Sequence, residues 1–236
     1  MNIFMKILLR GKNILFPGAC ALCGAGLIEP EEICFSLCEE CKNKFIPSDS
    51  EKCVKCGKPL ISEEQTCLPC REKGELSLDR LWVLYPYTGK YRNILSAYKF
   101  GKNLSLAGFF ASQAAELAAN EPLLKDTVIV PVPPRPGKIK HSGWDQVDYL
   151  VKVIEKRFKR NVSRVLKRKK SKVQKELNRS ERLENLKGRI YTNGIAPINA
   201  LIIDDVITTG STLEVCAKAL KDAGAEKVYG ICLFYD

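Results

Sequence analysis

The chain has 236 residues, 45% of them hydrophobic, with a formal charge of +11. That is the balance of an ordinary soluble globular protein with one good core and room for a smaller module. The charge excess is local rather than uniform: residues 152–189 hold 16 Lys or Arg against 4 Glu, which points to an anionic partner for one segment.

Residues 3–16 are predicted to form an amphipathic helix with Ile3, Ile7 and Ile14 facing protein. Lys6, Arg10 and Lys12 interrupt any apolar core long enough for a signal peptide. With no membrane span or export segment to follow, the expected compartment is the cytoplasm.

Eight of the eleven cysteines fall in four CxxC pairs: Cys20/Cys23, Cys38/Cys41, Cys53/Cys56 and Cys67/Cys70. Each CxxC turn aims two thiolates at one point, and two turns complete a closed tetrahedral site, so the spacing predicts two structural zinc ions. Sequential pairing is simplest, while a crossed arrangement stays open. Redox pairs or free thiols fit poorly, because a segment this short has little else to hold it folded. Cys34 reads as a spectator, and Cys216 and Cys232 as small core residues.

A boundary near residue 78 separates this module, 1–78, from a domain over 79–236. From there strand and helix signals alternate. "LWVLYPY" (81–87) opens them, and residues 94–119 look helical with a break near Gly101. "DTVIVPVPP" (126–134) reads as a buried strand stopped by prolines, followed by a helix over 144–158 with a Ser142-Gly143 start. A basic stretch follows, then the strand "NALIIDDV" (199–206), a helix over 211–224 ending at Gly224, and the strand "KVYGICLF" (227–234). The rhythm implies an α/β fold, a parallel sheet covered by helices on both faces.

"LIIDDVITTGST" (201–212) carries the chemistry. In a parallel α/β unit ligands bind beyond the carboxyl ends of the strands, where this loop falls. Thr208, Thr209, Ser211 and Thr212 offer hydroxyls, Gly210 permits close backbone approach, and the following helix presents its N-terminus, which together suit a phosphate monoester. Asp204 and Asp205 would repel phosphate but accept from sugar hydroxyls. A sugar 5-phosphate satisfies both halves.

This stretch resembles the phosphoribosyl pyrophosphate (PRPP) motif of type I phosphoribosyltransferases. The resemblance implies that Asp204 and Asp205 hold the ribose hydroxyls and that Thr208, Thr209, Gly210, Ser211 and Thr212 hold the 5-phosphate. Together with the cysteine pairs and the patches "LFPGACALCG" (15–24), "YKFGKNLSLAG" (98–108), "VPVPPRPGKIKHSGWDQ" (130–146) and "SKVQKELNRSERLENLKG" (171–188), the chain resembles the ComF family of competence-associated proteins over nearly its full length. That family joins a double zinc ribbon to a type I phosphoribosyltransferase domain. Where it usually reads Arg-Gly-Phe-Asn-Gln, this chain has Ser142-Gly143-Trp144-Asp145-Gln146, with Lys138, Lys140 and His141 nearby to supply charge. Ser171 stands where a threonine is expected.

The resemblance further implies a pyrophosphate loop with Arg135 and Lys138, and a flexible loop over 168–189 that closes on PRPP, with Lys169, Lys170, Lys172, Gln174, Arg179 and Arg182 as candidate contacts. The expected reaction displaces pyrophosphate from the anomeric carbon of PRPP by a nitrogen nucleophile, with Mg²⁺ bridging pyrophosphate and ribose. His141, the single histidine, does not stand out as a general base. The leading expectation is thus a PRPP-binding protein of DNA uptake in competent cells. Two alternatives differ in class: a non-catalytic PRPP-sensing adaptor whose zinc module docks a partner such as a DNA-import ATPase, or a single-stranded DNA-binding module using residues 152–189. For the last, no aromatic residue lies between Phe158 and Tyr191, so backbone attraction is expected and base stacking is not.

Overall fold

The computed structural model describes residues 3–45, 51–61, 64–72, 75–169 and 189–236. Helix α1 (Ile3–Leu15) is where the sequence predicts it, but its orientation differs. Ile3, Ile7 and Ile14 face solvent. Contact to protein is made instead by Asn13, whose side chain donates to Leu27 O and accepts from Gly18 N, and by Arg10, which pairs with Glu29. Polar anchors, not the apolar arc, fix the helix.

Two similar ribbons follow. Each has a tight antiparallel bridge around a CxxC turn, Ala19 with Gly26 and Lys52 with Pro59, and each turn ends on a glycine in the left-handed region, Gly24 and Gly57. The second CxxC pair of each ribbon opens a short helix, Cys38 and Cys41 at α3 (Glu39–Asn43), which α2 (Pro30–Phe35) precedes, and Cys67 and Cys70 at α4 (Leu68–Glu72).

The α/β part is a four-stranded, wholly parallel sheet. Its strands are β1 (Arg80–Pro86), β2 (Val128–Pro131), β5 (Asn199–Ile207) and β6 (Lys227–Tyr235), in the order β1-β6-β5-β2. The runs are apolar on both faces because both faces are covered. On one side lie α5 (Gly89–Lys99), α6 (Leu106–Asn120) and α8 (Gln146–Phe158), packed on Leu201, Ile203, Ile231 and Leu233. On the other lies α9 (Ser211–Asp222), whose Leu213, Cys216, Ala217 and Leu220 meet Ala200, Ile202, Val228 and Cys232. The expected break near Gly101 separates α5 from α6. Cys216 and Cys232 are core residues, both fully buried.

Three features were not read from the sequence. The short helix α7 (Lys138–Ser142) follows the proline loop. Helix α8 starts at Asp145, not at Ser142-Gly143: the Asp145 carboxylate accepts from Val147 N and Asp148 N at 3.0 Å each, as an N-cap should. Finally, β3 (Leu166–Arg168) and β4 (Ile190–Thr192) pair antiparallel and pack on α9.

Candidate functional site

Strands β2 and β5 are neighbours whose onward connections part: β2 leads to α8 on one face of the sheet and β5 to α9 on the other. A cleft opens at such a switch point, beyond the carboxyl ends of the strands. Here it measures about 650 Å³ and is walled by the loop after β2, the start of α8 and the end of β5 with its following loop, joined by Lys99 of α5 and Arg168 of β3.

Asp204 and Asp205 are buried, and they sit within β5, which runs on to Ile207, rather than at its end. Successive strand residues point to opposite faces, so the two carboxylates have different surroundings. Asp205 Oδ2 receives Lys99 Nζ at 2.9 Å and Gln146 Nε2 at 2.7 Å, while its Oδ1 accepts from Val206 N. Asp204 Oδ1 accepts from Asp205 N. Burial, and then the Asp205 charge, push Asp204 well above the usual carboxylate range. Burial acts the same way on Asp205, but the Lys99 ammonium and the bonds from Lys99 and Gln146 outweigh it and hold Asp205 below that range. Asp205 carries the charge and Asp204 retains its proton more tightly.

The loop after β5 completes the wall. Gly210, at φ +76°, caps α9 in a conformation that a side chain would strain. Thr209 Oγ1 and Ser211 Oγ lie 2.7 Å apart. Thr208 and Thr212 line both the main cleft and a hollow of about 40 Å³ shared with Asp204, Thr209, Gly210 and Ser211. All seven residues of the sequence-predicted motif therefore meet at one place.

Of the cations expected in the loop after β2, Arg135 and Lys138 both line the cleft. Lys138 Nζ is 2.7 Å from Asp145 Oδ2 and also bonds Gln146 Oε1. The two residues that depart from the family pattern are built into the local frame: Asp145 caps α8 and pairs Lys138, and the Ser142 hydroxyl donates to Lys138 O and Trp144 O. Lys169 lies beside β3 with its ammonium over the Tyr191 ring. Lys170, Lys172, Gln174, Arg179 and Arg182 lie outside the described residues.

Lys99 and Gln146 were given no role by the sequence, whereas Arg168 fell within the basic segment expected to close on PRPP or to meet DNA. Lys99 and Gln146 stand inside "YKFG" and "SGWDQ", two patches that carry the family resemblance, and that was the available signal. Arg168 opens that basic segment and was not separated there from the other cations of the run.

The cysteines form two groups of four, Cys20, Cys23, Cys38 and Cys41, and Cys53, Cys56, Cys67 and Cys70, with all sulfurs of a group within 4.8 Å of one another. Pairing is sequential. Separations of 3.7 Å between Cys23 and Cys38 and 3.6 Å between Cys56 and Cys67 are close to the edge, about 3.8 Å, of a tetrahedron built on zinc–sulfur bonds of about 2.3 Å. The donor sets fit two structural zinc ions. Cys34 belongs to neither group and accepts from Arg157 Nη1 at 3.3 Å. Among the described residues no helix is long and apolar enough to cross a membrane.

The double zinc ribbon domain matches residues 12–71. Competence protein ComFC of Streptococcus pneumoniae is 29% identical over 205 residues, 86% of this chain and 88% of that protein. Competence protein ComFC of Bacillus subtilis is 26% identical over 204 residues, 84% of this chain and 82% of that protein. A hypoxanthine/guanine phosphoribosyltransferase of Methanosalsum zhilinae is 50% identical over 50 residues, 21% of this chain and 26% of that protein. Over most of its length the chain is thus similar to competence proteins named ComFC, with a double zinc ribbon ahead of an α/β domain that shares a short stretch with a phosphoribosyltransferase.

Proposed function

We propose that the protein binds PRPP in the cleft between β2 and β5 and acts in DNA uptake during natural competence. One observation carries this reading: the two aspartates, the hydroxyl-rich loop opening α9 and the cations of the loop after β2 share one cleft. A ribose between Asp204 and Asp205 would direct its 5-phosphate to Thr208–Thr212 and its pyrophosphate toward the wall that holds Arg135 and Lys138. Mg²⁺ entering with PRPP supplies charge neutralisation at the pyrophosphate. The residues of the chain orient the sugar and screen its anomeric carbon.

Equilibrium titration of the zinc-loaded protein with Mg–PRPP tests this. Wild type should bind, and an Asp204→Ala, Asp205→Ala double variant should bind at least about tenfold more weakly, having lost two charge-assisted hydrogen-bond acceptors. Absence of binding by wild type rejects the reading. Pyrophosphate release in the presence of nucleobase acceptors then separates a transferase acting on PRPP from an adaptor that senses it.

Within this reading the segment 79–236 holds the ligand and 1–78 is a zinc module for docking a partner such as a DNA-import ATPase. Lys156, Arg157 and Lys159 are exposed at the end of α8, which favours a polyanion such as single-stranded DNA on that surface. Neutralising all three should reduce both affinity and its salt slope. Unchanged values reject that surface.

A further inference from the structure

Helix α1 turns its apolar side outward. Ile3, Phe4, Ile7, Leu8, Ile14 and Leu15 are between 57% and 81% exposed. At about 100° per residue these positions, with Gly11 among them, share one arc about 140° wide. A stripe of that width is what a helix ordinarily turns to a core. Here the fold holds it away from one: Asn13 bonds Leu27 O and Gly18 N, and Arg10 pairs with Glu29, so the helix is tied down with the arc already presented. Leu9, outside the arc, is half-buried.

The charge around the arc is of one sign. Lys6 and Arg10 border it along one edge and the position of Lys12 falls at the other, while residues 1–28 contain no Asp or Glu. Glu29, the first carboxylate in the sequence, is paired with Arg10. An apolar arc between two cationic edges matches a bilayer interface, where apolar side chains reach the acyl boundary and cations stay level with anionic headgroups. Two copies joined arc to arc would instead set cationic edges against each other, which disfavours a dimer as the cover. With 13 residues α1 is about 20 Å long, short of a hydrocarbon core of about 30 Å, so it can lie in such a surface but not cross it.

We propose that α1 is a peripheral docking helix that lies in the plane of an anionic bilayer surface, its exposed arc inserted and Lys6 at headgroup level. The inference does not depend on what the cleft between β2 and β5 binds. One such helix gives reversible attachment, strengthened by headgroup charge and weakened by salt.

Flotation of the full, zinc-loaded chain with vesicles of phosphatidylcholine alone, or of equal parts phosphatidylcholine and phosphatidylglycerol, tests this. Wild type should bind the mixed vesicles, bind the neutral ones at least about tenfold more weakly, and lose affinity as salt rises. A Phe4→Ser, Ile7→Ser double variant should bind the mixed vesicles roughly 10- to 100-fold more weakly, the range for withdrawing two apolar side chains from the interface. Lys6→Glu should weaken binding roughly tenfold and flatten its salt dependence. Ile195→Ser, which changes an isoleucine 91% exposed outside α1, should have no effect. Because the replaced side chains face solvent, every variant should keep its zinc and the wild-type thermal midpoint.

A wild type that ignores the mixed vesicles overturns the proposal, and so does a folded double variant that binds them as wild type does. Equal binding to neutral and anionic vesicles overturns it too. Should the double variant lose its zinc, Lys6→Glu and Ile14→Ser decide in its place, and wild-type binding by both rejects the helix as the docking element. Should sedimentation without lipid show a dimer that the double variant abolishes, while vesicles are ignored, the arc belongs to a second copy and the proposal fails.

Discussion

Lys99 Nζ lies 2.9 Å from Asp205 Oδ2, so the last turn of α5 is tied to the C-terminal half of β5 across 106 positions of sequence. Gln146 donates to the same oxygen at 2.7 Å, which makes Asp205 the point where α5, α8 and the central strand meet. Removing the ammonium would leave a buried carboxylate with only the neutral donors Gln146 Nε2 and Val206 N. Lys99→Met should therefore destabilise the fold by about 2–3 kcal/mol at neutral pH, measured by urea unfolding. The pH dependence follows from the depressed Asp205 pKa. A carboxylate depressed in the fold stabilises fully above its unfolded pKa, near 4, and that contribution disappears as pH falls through the lower folded value. The variant should show a shallower loss of stability on acidification below about pH 4 than wild type. An identical acid limb in both proteins would sink this account of Asp205.

Asp204 has the opposite sign. Its carboxyl is raised by burial and by Asp205, so the folded state binds that proton more tightly than the unfolded chain does. Such a group favours folding below the unfolded pKa, and the benefit is lost as pH rises through the folded value. Near neutral pH Asp204 is thus a cost kept for binding. Asp204→Asn should raise the thermal midpoint by a few degrees at about pH 7.5, equivalent to about 1 kcal/mol, with little gain near pH 4, and should weaken PRPP binding. A midpoint that drops equally at both pH values would contradict the assignment.

Local chemistry was legible in the sequence, and long-range pairing was not. Each zinc group needs two short CxxC turns in one small segment, so spacing alone announces it. The strand, loop and helix of 201–224 likewise form one continuous unit. Lys99 and Asp205 are far apart in sequence, and neither residue type announces the other. Arg168 was hidden because the run around it is uniformly cationic, and β3 and β4, at three residues each, are too short for a period to show. On α1 the periodicity correctly gave a helix but not its orientation, because Asn13 and Arg10 decide which side is held.

The two zinc ribbons should differ in how far they depend on metal. Cys20, Cys38 and Cys41 belong to the main core with Leu27, Leu37, Phe45 and Phe109. Cys53, Cys67 and Cys70 form a separate cluster joined only by Cys56 and Leu60 among the described residues. With so little apolar burial, the second ribbon is held mainly by its ion. Stepwise chelation, followed by thiol labelling and mass spectrometry, should start from two zinc ions per chain and release thiols from Cys53–Cys70 before those of Cys20–Cys41. Simultaneous labelling, or the reverse order, would rule out the difference.

Gly57 ends the CxxC turn of the second ribbon at φ +73°, and a Cβ there would meet Val83 Cγ2 at 2.1 Å. This contact seats the ribbon on β1, beside the bonds from Leu81 N to Val54 O, from Lys52 Nζ to Val83 O and from Lys55 Nζ to Leu78 O. Gly57→Ala adds a left-handed alanine, about 1 kcal/mol, to a clash with a buried side chain, about 1–3 kcal/mol. Gly24 supplies the internal control: it occupies the corresponding turn of the first ribbon at φ +75° with nothing within 4 Å of its Cβ position. Gly24→Ala should lose only the backbone part. If docking on β1 is what Gly57 provides, the extra loss in Gly57→Ala should shrink when Val83 is also replaced by Ala, since the second change removes the clashing methyl groups. Equal losses at Gly24 and Gly57, with no coupling to Val83, would place the second ribbon's stability in its zinc site alone.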